Sequence, residues 1–370
     1  MPSHTVTLLL GGDVMTGRGV DQILPYPGDP LLRERHVRDA RRYVELAEAA
    51  NGPIPRPVDF SWPWGDALDA IDEAAPDLRV VNLETSVTTS DDYEPGKAVH
   101  YRMNPPNVPC LTAAHLDICT LGNNHVLDFG GPGLEETLDV LTGAGLQTVG
   151  AGRDADEAGQ PVTVELSSAT VTVFAFGMPS SGVPARWAAR GDRPGVNSLG
   201  KASDAATTNL LHRIETAKSG GHLVVVSVHW GSNWGYDVPA VDIRLAHRLV
   251  DAGADVVFGH SSHHLRPIEI YRGGLVLYGC GDLVDDYEGI TGYEEYRDDL
   301  RLLYLVTINA ETGDLSALQM IPFQARQMCL HRASDRDVSW LADTMRRISR
   351  RFDAQIRLDP QGCLVLDPGG

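Results

Sequence analysis

The residues best equipped for chemistry fall in a few short clusters. Gly259-His260-Ser261-Ser262-His263-His264 packs three histidines into a glycine-led turn. Asn123-Asn124-His125 sets a polar triplet straight after an apolar run, where unsatisfied polar groups would be expensive. Asp13 follows Gly11-Gly12, Glu84 follows Asn82-Leu83, and His229 ends the apolar stretch 222–228. Carboxylates, an amide oxygen and imidazoles are the mixed oxygen and nitrogen set that suits two neighbouring Zn, Mn or Fe ions. Such a pair of ions, about 3.5–4 Å apart, makes hydroxide available near neutral pH. Water attack on phosphorus or on a carbonyl is the chemistry this set would serve. Each residue alone has a plainer explanation: a turn or cap for Asp13, an arginine partner for Glu84, a hydrogen-bonded core position for His229. Their shared placement argues for a site.

That placement is the end of a strand. Hydrophobic patterning predicts strands over 5–10, 78–81, 118–121, 222–228 and 255–258, and each stops just before one of these residues. In α/β sheets ligands bind at the carboxyl edge, where the loops converge. Helices are expected over 29–50, 64–75, 134–142, 207–218, 241–252 and 338–352. A hairpin is expected over 162–166 and 171–175. Further strands are expected over 268–271, 275–278, 302–308 and 317–321, with a tail after the last helix. The alternation predicts an α/β fold with a mostly buried sheet covered by helices.

Composition narrows the class. The chain has 370 residues, 42% of them hydrophobic and 22% charged, as in a globular protein. Its five cysteines are scattered and form no Cys-x-x-Cys pair, which argues against a disulfide framework or a zinc knot and for a reducing compartment. A formal net charge of −19 opposes nucleic-acid binding. A small anionic substrate remains compatible, since bound dications reverse the local field. No apolar run approaches the roughly 18 residues of a membrane span, and Met1-Pro2-Ser3-His4 leads straight into a strand without a leader, so a cytoplasmic location is expected.

The ordered motifs Gly-Asp (12–13), Asn-Leu-Glu (82–84), Gly-Asn-Asn-His (122–125), His-Trp-Gly (229–231) and Gly-His-Ser-Ser-His (259–263) resemble the CapA-like proteins of poly-γ-glutamate capsule synthesis. These lie within the calcineurin-like metallophosphoesterase superfamily. The similarity runs from about Thr5 to Phe323 and includes Asn124-His125-Val126-Leu127-Asp128-Phe129-Gly130. It implies a four-layer α/β/β/α sandwich of the metallo-dependent phosphatase type over 1–325, with a C-terminal helix and tail (326–370) packed on it. It also implies a dinuclear centre. Asp13 would bind one metal, Glu84 would stand for the bridging carboxylate, and Asn124 and His229 would serve the second metal. His260 and His263 would complete the cluster, and His125 would face the substrate. Asp13 and His125 are thus the expected catalytic pair. Arg18, Lys97, His100 and Arg102 adjoin these segments and are expected to grip a phosphate or carboxylate.

The chain departs from the family pattern at three points. Met15 stands where a histidine usually follows the aspartate. Ser261-Ser262 interrupt the last histidine motif, so the choice among His260, His263 and His264 stays open. Gly281-Asp282-Leu283 and Asp285-Asp286-Tyr287 bring extra carboxylates, either as hydrogen-bond partners that orient the histidines or as additional ligands. The main expectation is a metal-dependent hydrolase of a phosphoester or γ-glutamyl-like amide. A non-catalytic accessory protein that binds poly-γ-glutamate or another anionic polymer is the alternative. A cytosolic amide-forming enzyme is a third, but no Gly-x-x-x-x-Gly-Lys-Ser/Thr loop supports it.

Overall fold

The computed structural model describes residues 5–200 and 205–366. The expected leader-free start (1–4) and the last four residues of the expected tail lie outside that range.

Two sheets dominate a mixed α/β structure. The larger runs Ile356–Leu358, Leu364–Leu366, Leu315–Arg326, Leu300–Asn309, Thr5–Val14, Leu78–Leu83, Ile118–Thr120 and Gln147–Val149 from edge to edge. Its last four strands are mutually parallel. The second runs Ile268–Tyr271, Gly274–Leu277, Val256–His260, Leu223–His229, Thr170–Gly177 and Val162–Glu165, with its four central strands parallel.

Strand side chains alternate between faces, and here both faces are apolar because both are covered. Val6, Leu8 and Leu10 share one hydrophobic cluster with Val171, Val173, Val225 and Phe258 of the other sheet. Leu9, Val81 and Cys119 instead pack with Val44, Ile71 and Leu138 of the helices Arg41–Asn51, Ala67–Ala74 and Gly130–Gly143. Val224, Val226 and Val257 pack with Ile214 and Leu245 of the helices Ala205–Ser219 and Ala240–Asp251. The five cysteines are buried and unpaired. No helix among the described residues is long and apolar enough to cross a membrane.

Two expected elements are corrected. The helix predicted over 29–50 begins only at Arg41. Before it, Leu31 bridges Asp39, and buried Glu34 binds Arg18, so a tertiary ion pair overrides local helix propensity. The expected tail instead pairs Ile356–Leu358 with Leu364–Leu366 around Asp359, whose carboxylate accepts from the Gln361 and Cys363 amides. The second of these strands also pairs with Leu315–Arg326 and so extends the larger sheet.

The first strand outlasts its prediction by four residues, and this positions Asp13. Leu300–Asn309 flanks it as far as Leu10; beyond a bulge, Asp282–Val284 takes over in parallel. Asp13 thereby lies opposite Asp282 on one side and Asn82 on the other. The approach is close enough to demand glycine: a Cβ on Gly12 would lie 1.7 Å from the Gly281 carbonyl oxygen.

Candidate metal centre

Both sheets present the carboxyl ends of their parallel strands to one buried cluster. Asp13, Glu84, His229, His260, His263 and Asp282 are each less than one-tenth exposed. Ligand atoms of Asp13, His229 and His260 all lie within 4.8 Å of one another, and so do those of Asp13, His263 and Asp282. Asp13 is common to both triads.

A chain of hydrogen bonds orients the histidines. Asn82 Nδ2 donates to Asp13 Oδ1 (2.7 Å), and its Oδ1 accepts from Thr120 (3.3 Å) and Asn123 (3.1 Å). Ser227 Oγ donates to Thr120 (3.1 Å), so it must accept from His260 Nε2 (2.7 Å). The neutral His260 ring then accepts at Nδ1 from His229 Nδ1, 2.7 Å away. His229 Nε2 is left with a lone pair. It faces Asn124 Oδ1 at 3.1 Å and Glu84 Oε1 at 3.6 Å. Three electron-rich atoms converging in a buried place repel one another unless a cation lies among them.

Charge burial points the same way. Desolvation, then the field of Asp282, pushes the Asp13 carboxyl up to about 7, and desolvation, then the field of Asp13, holds Glu84 well above its usual range. Burial also raises Asp282 to about 7, against the opposing field of Arg301. Glu84 Oε2 and Asp282 Oδ2 are buried without hydrogen-bond partners. Burial lowers His229, His260 (to about 3) and His263, keeping the imidazoles neutral as metal ligation requires. The residues present fit divalent cations.

Local backbone serves the same end. Ser261 adopts φ +102°, a left-handed conformation costly for a residue with a Cβ, and its amide donates to Asp13 Oδ2 (3.1 Å). The next residues send the two remaining histidines different ways. His263 Nδ1 meets Asp282 Oδ1 at 3.0 Å, and Nε2 meets Asn233 Nδ2 at 2.8 Å. His264 donates from Nδ1 to the Leu265 carbonyl and stacks with Trp234 and Tyr296, away from both triads.

His125 borders the cluster. Its Nδ1 donates to Asp128 Oδ2 (2.6 Å), leaving Nε2 3.8 Å from Glu84 Oε1. Burial lowers its pKa to about 4. Lys97 Nζ lies 2.9 Å from the same Nδ1 and donates to Asp128 and the Asn124 carbonyl. Lys97 thus fixes the His125 segment from behind. Arg18 is buried among Asp286, Glu34 and Tyr43, with its guanidinium 4.5 Å from the Tyr101 ring centre. His100 bonds the Glu94 carbonyl, and Arg102 pairs with Asp91. Arg18, His100 and Arg102 line one cavity; Lys97 does not.

Sequence reasoning placed Asp282 only as an extra carboxylate, counted Asn82 among the polar residues at strand ends without a role of its own, and left out Thr120, Ser227 and Asp128. Asn82 carries a visible signal, a polar residue inside an apolar strand; the roles of Ser227 and Thr120 arise only from packing between sheets.

The family described as bacterial capsule synthesis protein PGA_cap matches residues 7–287, a span that holds every residue of the cluster. This chain belongs to the PGA_cap family. The resemblance to CapA-like proteins is thereby confirmed. A probable polyglutamine synthesis accessory protein of Mycobacterium tuberculosis (strain CDC 1551 / Oshkosh) is 52% identical over 365 residues, covering 98% of this chain and 96% of that protein. The PGA biosynthesis protein CapA of Bacillus subtilis (strain 168) is 30% identical over 295 residues, 79% of this chain and 66% of that protein. The capsule biosynthesis protein CapA of Bacillus anthracis is 24% identical over 325 residues, 88% of this chain and 69% of that protein.

Proposed function

We propose that this chain is an accessory protein of polyglutamate synthesis that engages an anionic, polyglutamate-like chain at a centre for two divalent ions. The lone pair of His229 Nε2, opposed to Asn124 Oδ1 and Glu84 Oε1, is the observation that carries the metal centre. Glu84, Asn124 and His229 would hold one ion, and Asp13, His263 and Asp282 the other, with His260 orienting His229. Mn, Fe and Zn suit this donor set. When bound, the ions supply positive charge, Lewis acidity and a water of lowered pKa. Positive charge there lets a protein of net charge −19 accept a polyanion. The similarity to an accessory protein of polyglutamine synthesis supports the role.

The covered faces of both sheets support the four-layer α/β/β/α sandwich of metallo-dependent phosphatases, as a body spanning about 1–325 with the segment 326–370 packed on it. Arg18 and Lys97 act here as positioning groups, because each is engaged by a buried carboxylate.

His125 favours a second reading, hydrolysis of a γ-glutamyl amide or a phosphoester. Its Nδ1 is held by Asp128 and its Nε2 faces the cluster. That nitrogen, unprotonated in the neutral ring, would first take a proton from the attacking water and then pass it to the leaving group. Incubating the manganese-loaded protein with poly-γ-glutamate and a phosphoester panel separates the readings. Binding without product supports the accessory role. Metal-dependent product that is lost in His125→Ala supports hydrolysis, and neither binding nor product overturns both.

A further inference from the structure

A cavity of about 230 Å³ reaches toward His125 through one aromatic ring. Arg18 is part of its wall, and the Tyr101 ring lies between the Arg18 guanidinium (4.5 Å) and the His125 ring (4.4 Å). We propose that this cavity is a subsite for one carboxylate-bearing residue of an amide-linked chain, an inference that rests on the polyglutamate reading.

Its acids are already engaged. Asp21 accepts from the Gly28 and Asn104 amides and from Asn107 Nδ2, at 2.7, 2.8 and 2.7 Å. Asp29 accepts from the Leu31 amide, and Asp91 pairs with Arg102. Arg33 is the cation left over: it stacks over Tyr93 (4.9 Å) and makes no ion pair among the described residues. Arg102 lies over Phe129 (4.8 Å), and its partner Asp91 has a side chain 79% exposed, so that pair is weakly held and open to exchange. A carboxylate is the acceptor that Arg33 lacks and that Arg102 can exchange for Asp91.

His100 adds a second requirement. It is 3% exposed, and its Nε2–H donates to the Glu94 carbonyl at 2.8 Å. In the neutral ring Nδ1 is then an acceptor, and this buried atom has no partner. An amide N–H satisfies it; a bare inorganic anion offers it nothing. Leu31 and Tyr93, 48% and 39% exposed at the rim, provide apolar surface for the methylenes of an acidic side chain. The volume falls below the about 300–1,000 Å³ of drug-sized pockets and suits a single residue.

Titration calorimetry with a γ-linked glutamate pentamer tests the inference, using wild type, Arg33→Ala, Arg102→Gln and His100→Phe. Arg33 is exposed, so its variant keeps the fold. Arg33→Ala and Arg102→Gln should each weaken binding roughly tenfold. His100→Phe should weaken the pentamer and leave glutarate, which has no amide, unchanged. Wild-type affinity in both arginine variants overturns the subsite while the polyglutamate reading stands. A wild type that binds no pentamer overturns that reading and the subsite with it.

Discussion

His229 and His260 face each other with their Nδ1 atoms 2.7 Å apart, at directly paired positions of neighbouring parallel strands. One proton serves both nitrogens, and Ser227 decides which ring supplies it by accepting from the far side of His260. His260 therefore acts on the centre by aiming His229. Removing such an orienting partner typically costs about 10–100-fold in metal affinity. His260→Ala should weaken manganese binding by that order in a chelator competition, with Asn124, Glu84 and His229 all retained. Unchanged affinity would remove the orienting role.

Metal binding should be steeply pH-dependent. In the metal-free chain burial raises Asp13 and Asp282 to about 7, so at pH 6 both are largely protonated. An ion must displace those protons, so affinity rises as pH climbs through 7 and falls as pH drops below it. The gain in Tm on adding manganese should therefore grow from pH 6 to pH 8. A gain independent of pH over that window would contradict the assignment of both carboxylates.

Arg18 should behave as a structural cation. Its guanidinium bonds buried Asp286 and Glu34, and its loss would leave two buried carboxylates without a cationic partner. Removing one side of a buried ion pair costs about 3–5 kcal/mol. Arg18→Ala should lower unfolding free energy by about that amount in urea titration. A loss under about 1 kcal/mol would return Arg18 to the role of substrate anchor.

Gly12 is tested by one methyl group. Because the atom in its way is the Gly281 backbone oxygen, no rotamer relieves the clash, and Asp282 would be pushed from Asp13. Gly12→Ala should destabilise the fold by about 3 kcal/mol and lower metal content. Gly143→Ala, where a Cβ meets nothing within 4 Å, is the matched control and should do neither.

Much of the centre was legible because a polar residue ending an apolar run is a local signal. Asp13, His229 and His260 all carry it; strand pairing sets His229 beside His260, and the packing of the two sheets brings Asp13 to them. Asp282 was harder. Its place follows from a three-residue strand that joins the end of Thr5–Val14 across more than two hundred residues, and no local pattern encodes that pairing. The histidine turn could be located but not resolved, since Trp234 and Tyr296 decide that His264 turns away. The helix predicted over 29–50 failed through its first twelve residues, where buried Glu34 answers to Arg18 rather than to helical periodicity. At the C-terminus, Asp359-Pro360-Gln361-Gly362 between two short apolar runs is a turn signal, and the paired strands there were readable.

The most direct test is metal content by inductively coupled plasma mass spectrometry, after manganese reconstitution and desalting, on wild type beside Asp13→Asn and His229→Ala. Asp13 would hold one of the two ions and His229 the other, each with ligand atoms close to those of two further residues. Near two equivalents are expected in wild type and about one in each variant. A wild type that retains no metal, or an Asp13→Asn protein that keeps the wild-type content, would contradict the two-ion centre.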